Sequence, residues 1–219
     1  MIELRNYTKS ELAKILGTND REGMLRKLKS WGIRHDEPQG RGENMTVNIT
    51  DISDPFKVLA LTELGASPYV DFRKLRNYLY YFLNDEEFAS MPDEVKENRL
   101  KHEGKCLSRQ TISKYTDYLR SLGVISYSTD QFIYYFAHKG NQRITDRKEY
   151  LDAWYQYWKD KDDGMNSGEA IYRMKQAHGG VARRQPIPEY SPWSKPLIEK
   201  LNDCIQVSIE RELEAFEKN

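Results

Sequence analysis

The stretch from Leu107 to Ala137 restricts the fold more than any other part of the chain. Ser108 is a good helix N-cap, and Ile112, Leu119 and Leu122 follow at helical spacing, with Tyr115 at the edge of their stripe. Gly123 then ends the helix, and Val124-Ile125 opens a run of strand-like composition. The pattern predicts strands around 124–127 and 131–137, with Ser128-Thr129-Asp130 as the turn between them. A helix that empties through glycine into a hairpin is a compact supersecondary unit, and this chain carries its signature twice.

The other copy lies at the N-terminus. Thr8 and Glu11 match a capping box before Leu12, Ile15 and Leu16, and Gly17 ends that short helix. Thr18-Asn19-Asp20 makes a turn. Met24, Leu25, Leu28 and Trp31 then mark a second helix, stopped by Gly32. Ile33 and Met45–Ile49 read as strand, on either side of the polar stretch Pro38-Gln39-Gly40-Arg41-Gly42. The expected order is helix, tight turn, helix, hairpin.

Three segments follow from this pattern: 1–52, 53–150 and 151–219. In the second, Val58–Leu61 begins a helix, and Phe72, Leu75, Leu79 and Phe82 mark another. Asn84 to Lys105 reads as an insertion with a short helix near Glu94. In the third, Leu151, Trp154, Tyr155 and Trp158 form an aromatic helical stripe, expected to pack in a core rather than to stack on unpaired bases. Lys159 to Gly168 reads as a charged loop and Gly179 to Pro196 as an extended connector. Within that connector Arg183-Arg184 reads as a solvated pair, with phosphate holding as the alternative. The final helix, expected over about 194–216, carries Leu197, Leu201, Ile205, Ile209, Leu213 and Phe216 on one face. That face can dock on the body or form a dimer seam, and a homodimer is the expectation. The fold class is therefore mainly α with small β-hairpin wings, an α+β arrangement.

Composition limits the partners. Lys plus Arg total 34 and Asp plus Glu total 34, so the net charge is zero. Binding nucleic acid by bulk charge is excluded, and the placement of charge must decide. The 15 Tyr, 7 Phe and 4 Trp argue against a solvated, disordered chain. Cys106 and Cys204 read as free thiols in a reducing compartment, and neither a signal peptide nor a membrane span is apparent. A cytoplasmic protein with no membrane partner is expected.

Placement points to double-stranded DNA. A recognition helix needs one apolar face to dock on its neighbour and one polar face for the major groove. In the second unit Arg109, Gln110, Ser113, Lys114 and Asp117 face outward, with Thr111 at the border and Ser108 at the N-cap. Arg suits guanine and Gln suits adenine through paired hydrogen bonds, while Ser and Lys suit phosphates. In the first unit the same logic buries Leu25 and Leu28 and exposes Arg21, Glu22, Arg26, Lys27, Lys29 and Ser30, a more basic face suited to holding phosphate.

These residues resemble the winged helix-turn-helix family. The likeness runs over Ser10–Gly17, Arg21–Gly32 and the wing candidate Gly40-Arg41-Gly42, and again over Leu107–Ile125. Leu-Ser-Arg-Gln-Thr-Ile-Ser-Lys is similar to recognition helices of bacterial and phage regulators. Two such units in one chain also resemble the replication initiators of plasmids and phages. The resemblance implies DNA binding in transcription regulation or replication, with Arg41 at a wing tip in the minor groove. The second wing departs from the family, since its tip Ser128-Thr129-Asp130 is acidic.

Enzymatic readings find no support in the sequence. His35, His102, His138 and His178 are scattered, and no zinc signature, P-loop, dinucleotide fingerprint or serine elbow occurs. No enzyme activity, cofactor or metal is expected. The competing expectation is a protein-interaction module, of the phage-inhibitor or assembly-factor kind, that uses winged helices as scaffold.

Overall fold

The computed structural model describes residues 1–36 and 45–217. The elements begin with β1 (Asn6–Thr8), α1 (Lys9–Leu16), α2 (Arg21–Ser30), β2 (Ile33–His35), β3 (Thr46–Ile52) and α3 (Pro55–Thr62). Four helices follow: α4 (Phe72–Asn84), α5 (Glu86–Ser90), α6 (Asp93–His102) and α7 (Arg109–Ser121). The rest is β4 (Ile125–His138), β5 (Asn141–Thr145), α8 (Arg147–Asp162), α9 (Ser167–His178), β6 (Val181–Tyr190) and α10 (Lys195–Glu217). The fold is α+β with two antiparallel three-stranded sheets, ordered β1-β3-β2 and β5-β4-β6. Contacts group the chain differently from the three expected segments. One compact unit joins Met1–Tyr80 to the stretch from Lys195 onward, and the other is Tyr81–Ser194.

In the first unit local chemistry sets the helix ends. The Thr8 hydroxyl accepts from the Glu11 amide, and the Glu11 carboxylate accepts from the Thr8 amide at 2.7 Å, a closed capping box. Gly17 closes α1 at φ 60°, a left-handed conformation that favours glycine. Asp20 caps α2 by accepting from the Glu22 and Gly23 amides at 3.0 and 2.8 Å. Antiparallel pairing sets Tyr7 opposite Val47 and Ile33 opposite Ile52. Tyr7, Leu12, Leu16, Met24, Leu28, Val47 and Ile49 fill the core beneath. Met24 is the buried partner of Leu28, while Leu25, expected inside, is half-buried.

The C-terminal helix completes that core. α10 packs on α3 and buries Leu201, Cys204, Ile205 and Ser208. Arg76, itself buried, donates to the Ser208 hydroxyl at 2.9 Å and to Glu212 at 2.5 Å. Glu212 also meets Arg73 at 2.7 Å, and Lys200 donates to Glu63 at 2.6 Å. Most of the stripe expected as a dimer seam is therefore spent inside this unit. Only Leu213 and Phe216, at 59% and 68% exposure, lie open at its end.

In the second unit the expected hairpin over 124–137 does not form. β4 is one long strand with an irregularity between Tyr127 and Phe132, where Ser128 donates to Asp130 and accepts from the Gln131 amide. The turn lies instead at Lys139-Gly140, joining β4 to β5. The expected connector after Gly179 is β6, antiparallel to β4 from Ile125↔Tyr190 to Ala137↔Val181. Pro186 and Pro188 are tolerated because β6 is an edge strand and needs amide donors on one side only. α8 runs on to Asp162, through the first four residues of the expected loop, and α9 follows. Both pack on the sheet face that carries Phe136 and Ala182, with Ala153 and Met174 in the shared core. Trp154 joins that core at its edge, but Tyr155 and Trp158 are 72% and 59% exposed, against the packed position expected of them.

Among the described residues no helix is long and apolar enough to cross a membrane. Cys106 and Cys204 are free thiols, one exposed and one buried.

Candidate nucleic-acid interface

α2 presents its basic face because its apolar residues are claimed by α1 and the sheet. Burying Met24 and Leu28 rotates Arg21, Arg26 and Lys29 outward, and all three are exposed. Arg26 and Lys29 line an open groove of about 660 Å³ between α2 and β2, with Glu22 as its one carboxylate among the described residues. Arg34, on edge strand β2, adds a third cation to the same groove. Its side chain is 82% exposed and touches Asp51 only at 3.8 Å. Such a pair is screened by solvent and leaves the guanidinium available. Leu25 and Ile33 form the apolar part of the groove wall. The His35 ring also borders the groove, and its Nε2 has no hydrogen-bond partner among the described residues.

Lys27 departs from its expected outward position. It is half-buried and its ammonium donates to the Leu16 carbonyl, closing the C-terminal end of α1. It braces the two helices rather than meeting solvent. Arg41 lies outside the described residues.

α7 is formed as expected at its start. The Ser108 hydroxyl accepts from the Thr111 amide at 3.3 Å and lies 3.0 Å from the Thr111 hydroxyl, so both side chains are engaged in the cap. Ile112, Tyr115, Thr116 and Leu119 are buried, whereas Leu122, expected inward, is 37% exposed. Gln110, Ser113 and Lys114 are exposed. Arg109 is exposed but held by two carboxylates of α6, Glu97 at 3.0 Å and Glu94 at 3.4 Å. Farther along, Ser113, Asp117 and Arg120 line a cleft of about 290 Å³ with Asp93 and Tyr127. Arg120 is paired with Asp117 at 2.7 Å, and burial pushes the Asp93 carboxyl above its ordinary range. The surroundings of α7 thus offset Arg109 and Arg120, while among the described residues Arg26 and Lys29 form no ion pair and Arg34 only the long contact with Asp51.

The sequence missed Arg34 because a single Arg on a three-residue strand carries no local signal. Its neighbourhood with Arg26 and Lys29 comes from sheet pairing that places β2 beside α2. Among the described residues, no three His, Cys, Asp or Glu side chains converge as a metal-ligand set. No family model, no curated protein and no solved structure matches the chain significantly.

Proposed function

We propose that residues 1–52 form a winged helix-turn-helix that binds double-stranded DNA, with α2 as the helix in the major groove. What supports this reading is the strand and helix order β1-α1-α2-β2-β3 with sheet order β1-β3-β2, which leaves the polar face of α2 uncovered. The single observation that carries it is the convergence of Arg26, Lys29 and Arg34 on one groove, where Glu22 is the one carboxylate among the described residues. These groups meet phosphates, which supply most of the affinity of such complexes. Arg21, at the first turn of α2, is placed for a base edge or an adjacent phosphate. In this reading the protein serves transcription regulation or replication initiation, as its resemblance to winged-helix regulators and initiators implies.

A salt titration of duplex binding tests it. Each phosphate neutralised contributes roughly −0.9 to the slope of log affinity against log salt. Arg26→Ala with Lys29→Ala should flatten that slope by about 2 and weaken binding to all sequences alike. An unchanged slope removes α2 from the interface.

A second reading, a protein-interaction module, is favoured by one observation in the other unit. Leu151, Tyr155 and Trp158 recur at helical spacing on α8 and are all at least half exposed. An open aromatic stripe of this kind suits a protein partner better than a phosphate backbone.

A further inference from the structure

The second unit holds a cleft that the DNA reading does not use. It has a volume of about 510 Å³ and opens on the sheet face opposite α8 and α9. Tyr135 and Arg183 are directly paired across β4 and β6, so both side chains stand on this face. Lys139 reaches it from the β4–β5 turn and Lys175 from α9. The neighbouring Arg184 falls on the other face, where its guanidinium lies 4.6 Å from the Phe132 ring. The double arginine of the sequence is thus divided by strand alternation, and only its first member enters the cleft.

What sets the cations of this cleft apart is that three of them share one space. Arg99, Arg109, Arg120, Arg143 and Arg173 each meet a carboxylate within 3.5 Å. Lys139, Lys175 and Arg183 form no ion pair among the described residues, yet they line the same space. The one carboxylate in the wall among the described residues, Glu94, is turned to Arg109 at 3.4 Å. Like charges gathered in a partly enclosed cleft repel, and an anion relieves that repulsion.

A second observation comes from the backbone. Lys139 is the one non-glycine residue at positive φ among the described residues, at 47°. Asn or Gly would occupy that position with less strain. Strain retained at a cleft-lining residue points to use of its side chain. The turn is also anchored, since Asn98 donates to the Gly140 carbonyl at 2.6 Å and fixes where Lys139 stands.

We infer that this cleft binds a phosphorylated small molecule of about nucleotide size, with Arg183, Lys139 and Lys175 on its phosphates. Arg183 offers a planar fork to phosphate oxygens, and the two lysines add point charges. Tyr135 contributes a ring wall and a neutral hydroxyl, its ionisation pushed up by burial. Val95 and Val181 supply apolar wall for the organic part of the ligand.

The same phosphate chemistry occurs along a nucleic-acid backbone, so the experiment has arms for both. The full chain is titrated by calorimetry with inorganic tripolyphosphate, with ATP and with a random-sequence duplex. Lys139→Asn with Arg183→Gln should weaken tripolyphosphate and ATP by about tenfold or more, the loss expected for charge-assisted bonds. Arg184→Gln, the same substitution as Arg183→Gln made on the other sheet face, should leave both affinities unchanged. Duplex binding should survive the double variant, whereas Arg26→Ala with Lys29→Ala should leave tripolyphosphate binding intact, which separates this site from the first unit. Asn suits the turn backbone, so the double variant should melt no lower than the parent without ligand. Lys175→Gln on α9 gives an independent check, with the same direction of loss. Equal tripolyphosphate affinity in parent and double variant, or an equal loss in Arg184→Gln, overturns the inference. Loss of duplex affinity in proportion, with ATP bound no better than tripolyphosphate, overturns the small-molecule assignment in favour of a nucleic-acid backbone.

Discussion

The Arg109 Nε donates to Glu97 at 3.0 Å, across from the first turn of α7 to the helix before it. With Glu94 at 3.4 Å on the same guanidinium, the side chain that sequence pattern best suits to guanine is already bound to two carboxylates. A base contact would require it to exchange those partners first. Arg109→Ala should therefore change duplex affinity by less than about 1 kcal/mol, the range of exposed ion pairs. A guanidinium free to grip guanine would cost about 1–3 kcal/mol on removal and relax preference at one base position. Fluorescence anisotropy at fixed salt distinguishes the two. A loss in the larger range, together with relaxed preference, would restore α7 as a reader.

Lys96 gives a prediction about pH. It is 1% exposed, its ammonium lies 5.0 Å from the Phe82 ring, and its nearest carboxylate is Asp93 at 3.9 Å. Burial pushes its pKa down to about 8, with Asp93 opposing the shift. Below that value the folded and unfolded chains are both protonated, and folding carries the full penalty of a buried charge. Between about 8 and about 10.4 the unfolded chain keeps a proton that the folded one has released, so stability rises with pH across this window. Lys96→Met should remove that rise and stabilise the protein near neutral pH by up to about 3 kcal/mol. Denaturant midpoints of both proteins measured over the window test this. Parallel curves for the two would show that Lys96 does not titrate there.

What the sequence disclosed is what short-range chemistry determines. The Thr8–Glu11 box, the Ser108 cap and the four-step stripe of α10 all act within a few residues, and each sits where pattern placed it. The failures are long-range. Ser128-Thr129-Asp130 has the composition of a turn, but pairing with β6 from more than fifty residues away carries β4 straight through it. Val181–Tyr190 is rich in Arg and Pro and resembles a linker until β4 supplies its partner. The candidate interface divides in the same way. The outward exposure of Arg26, Lys29 and Gln110 was readable from helical spacing, whereas the carboxylates on Arg109 and the Leu16 carbonyl on Lys27 come from neighbouring helices.

Gly180 tests the pairing that the sequence did not disclose. A β-carbon there would lie 2.8 Å from the Ala137 backbone N, C and O atoms. Backbone cannot swing aside as a side-chain tip can, so the start of β6 would have to separate from β4. Gly180→Ala should destabilise the protein by about 1–3 kcal/mol, the usual range for overpacking. It should also weaken hydrogen-exchange protection at Val181 and Ala182 before the rest of the unit. Gly179→Ala is the contrast, because nothing lies within 4 Å of its added β-carbon and its strain is confined to φ 73°. Undiminished protection of β6 in Gly180→Ala would mean that this close approach is not made in solution.

The end of α10 tests assembly. Truncation before this helix would remove Leu201, Cys204 and Ile205 from the first unit and expose a core, so a loss of mass could not be assigned to a seam. Leu213 and Phe216 offer a cleaner probe. They lie beyond the buried part of the helix and are both more than half exposed. Two such side chains bury little area, and a stable dimer needs a patch several times larger. A homodimer through α10 therefore predicts weak association, abolished by Leu213→Ser with Phe216→Ser without loss of melting temperature. Sedimentation equilibrium over a range of concentrations measures it. A parent chain that remains monomeric throughout, or a dimer unaffected by the double change, removes α10 as the seam.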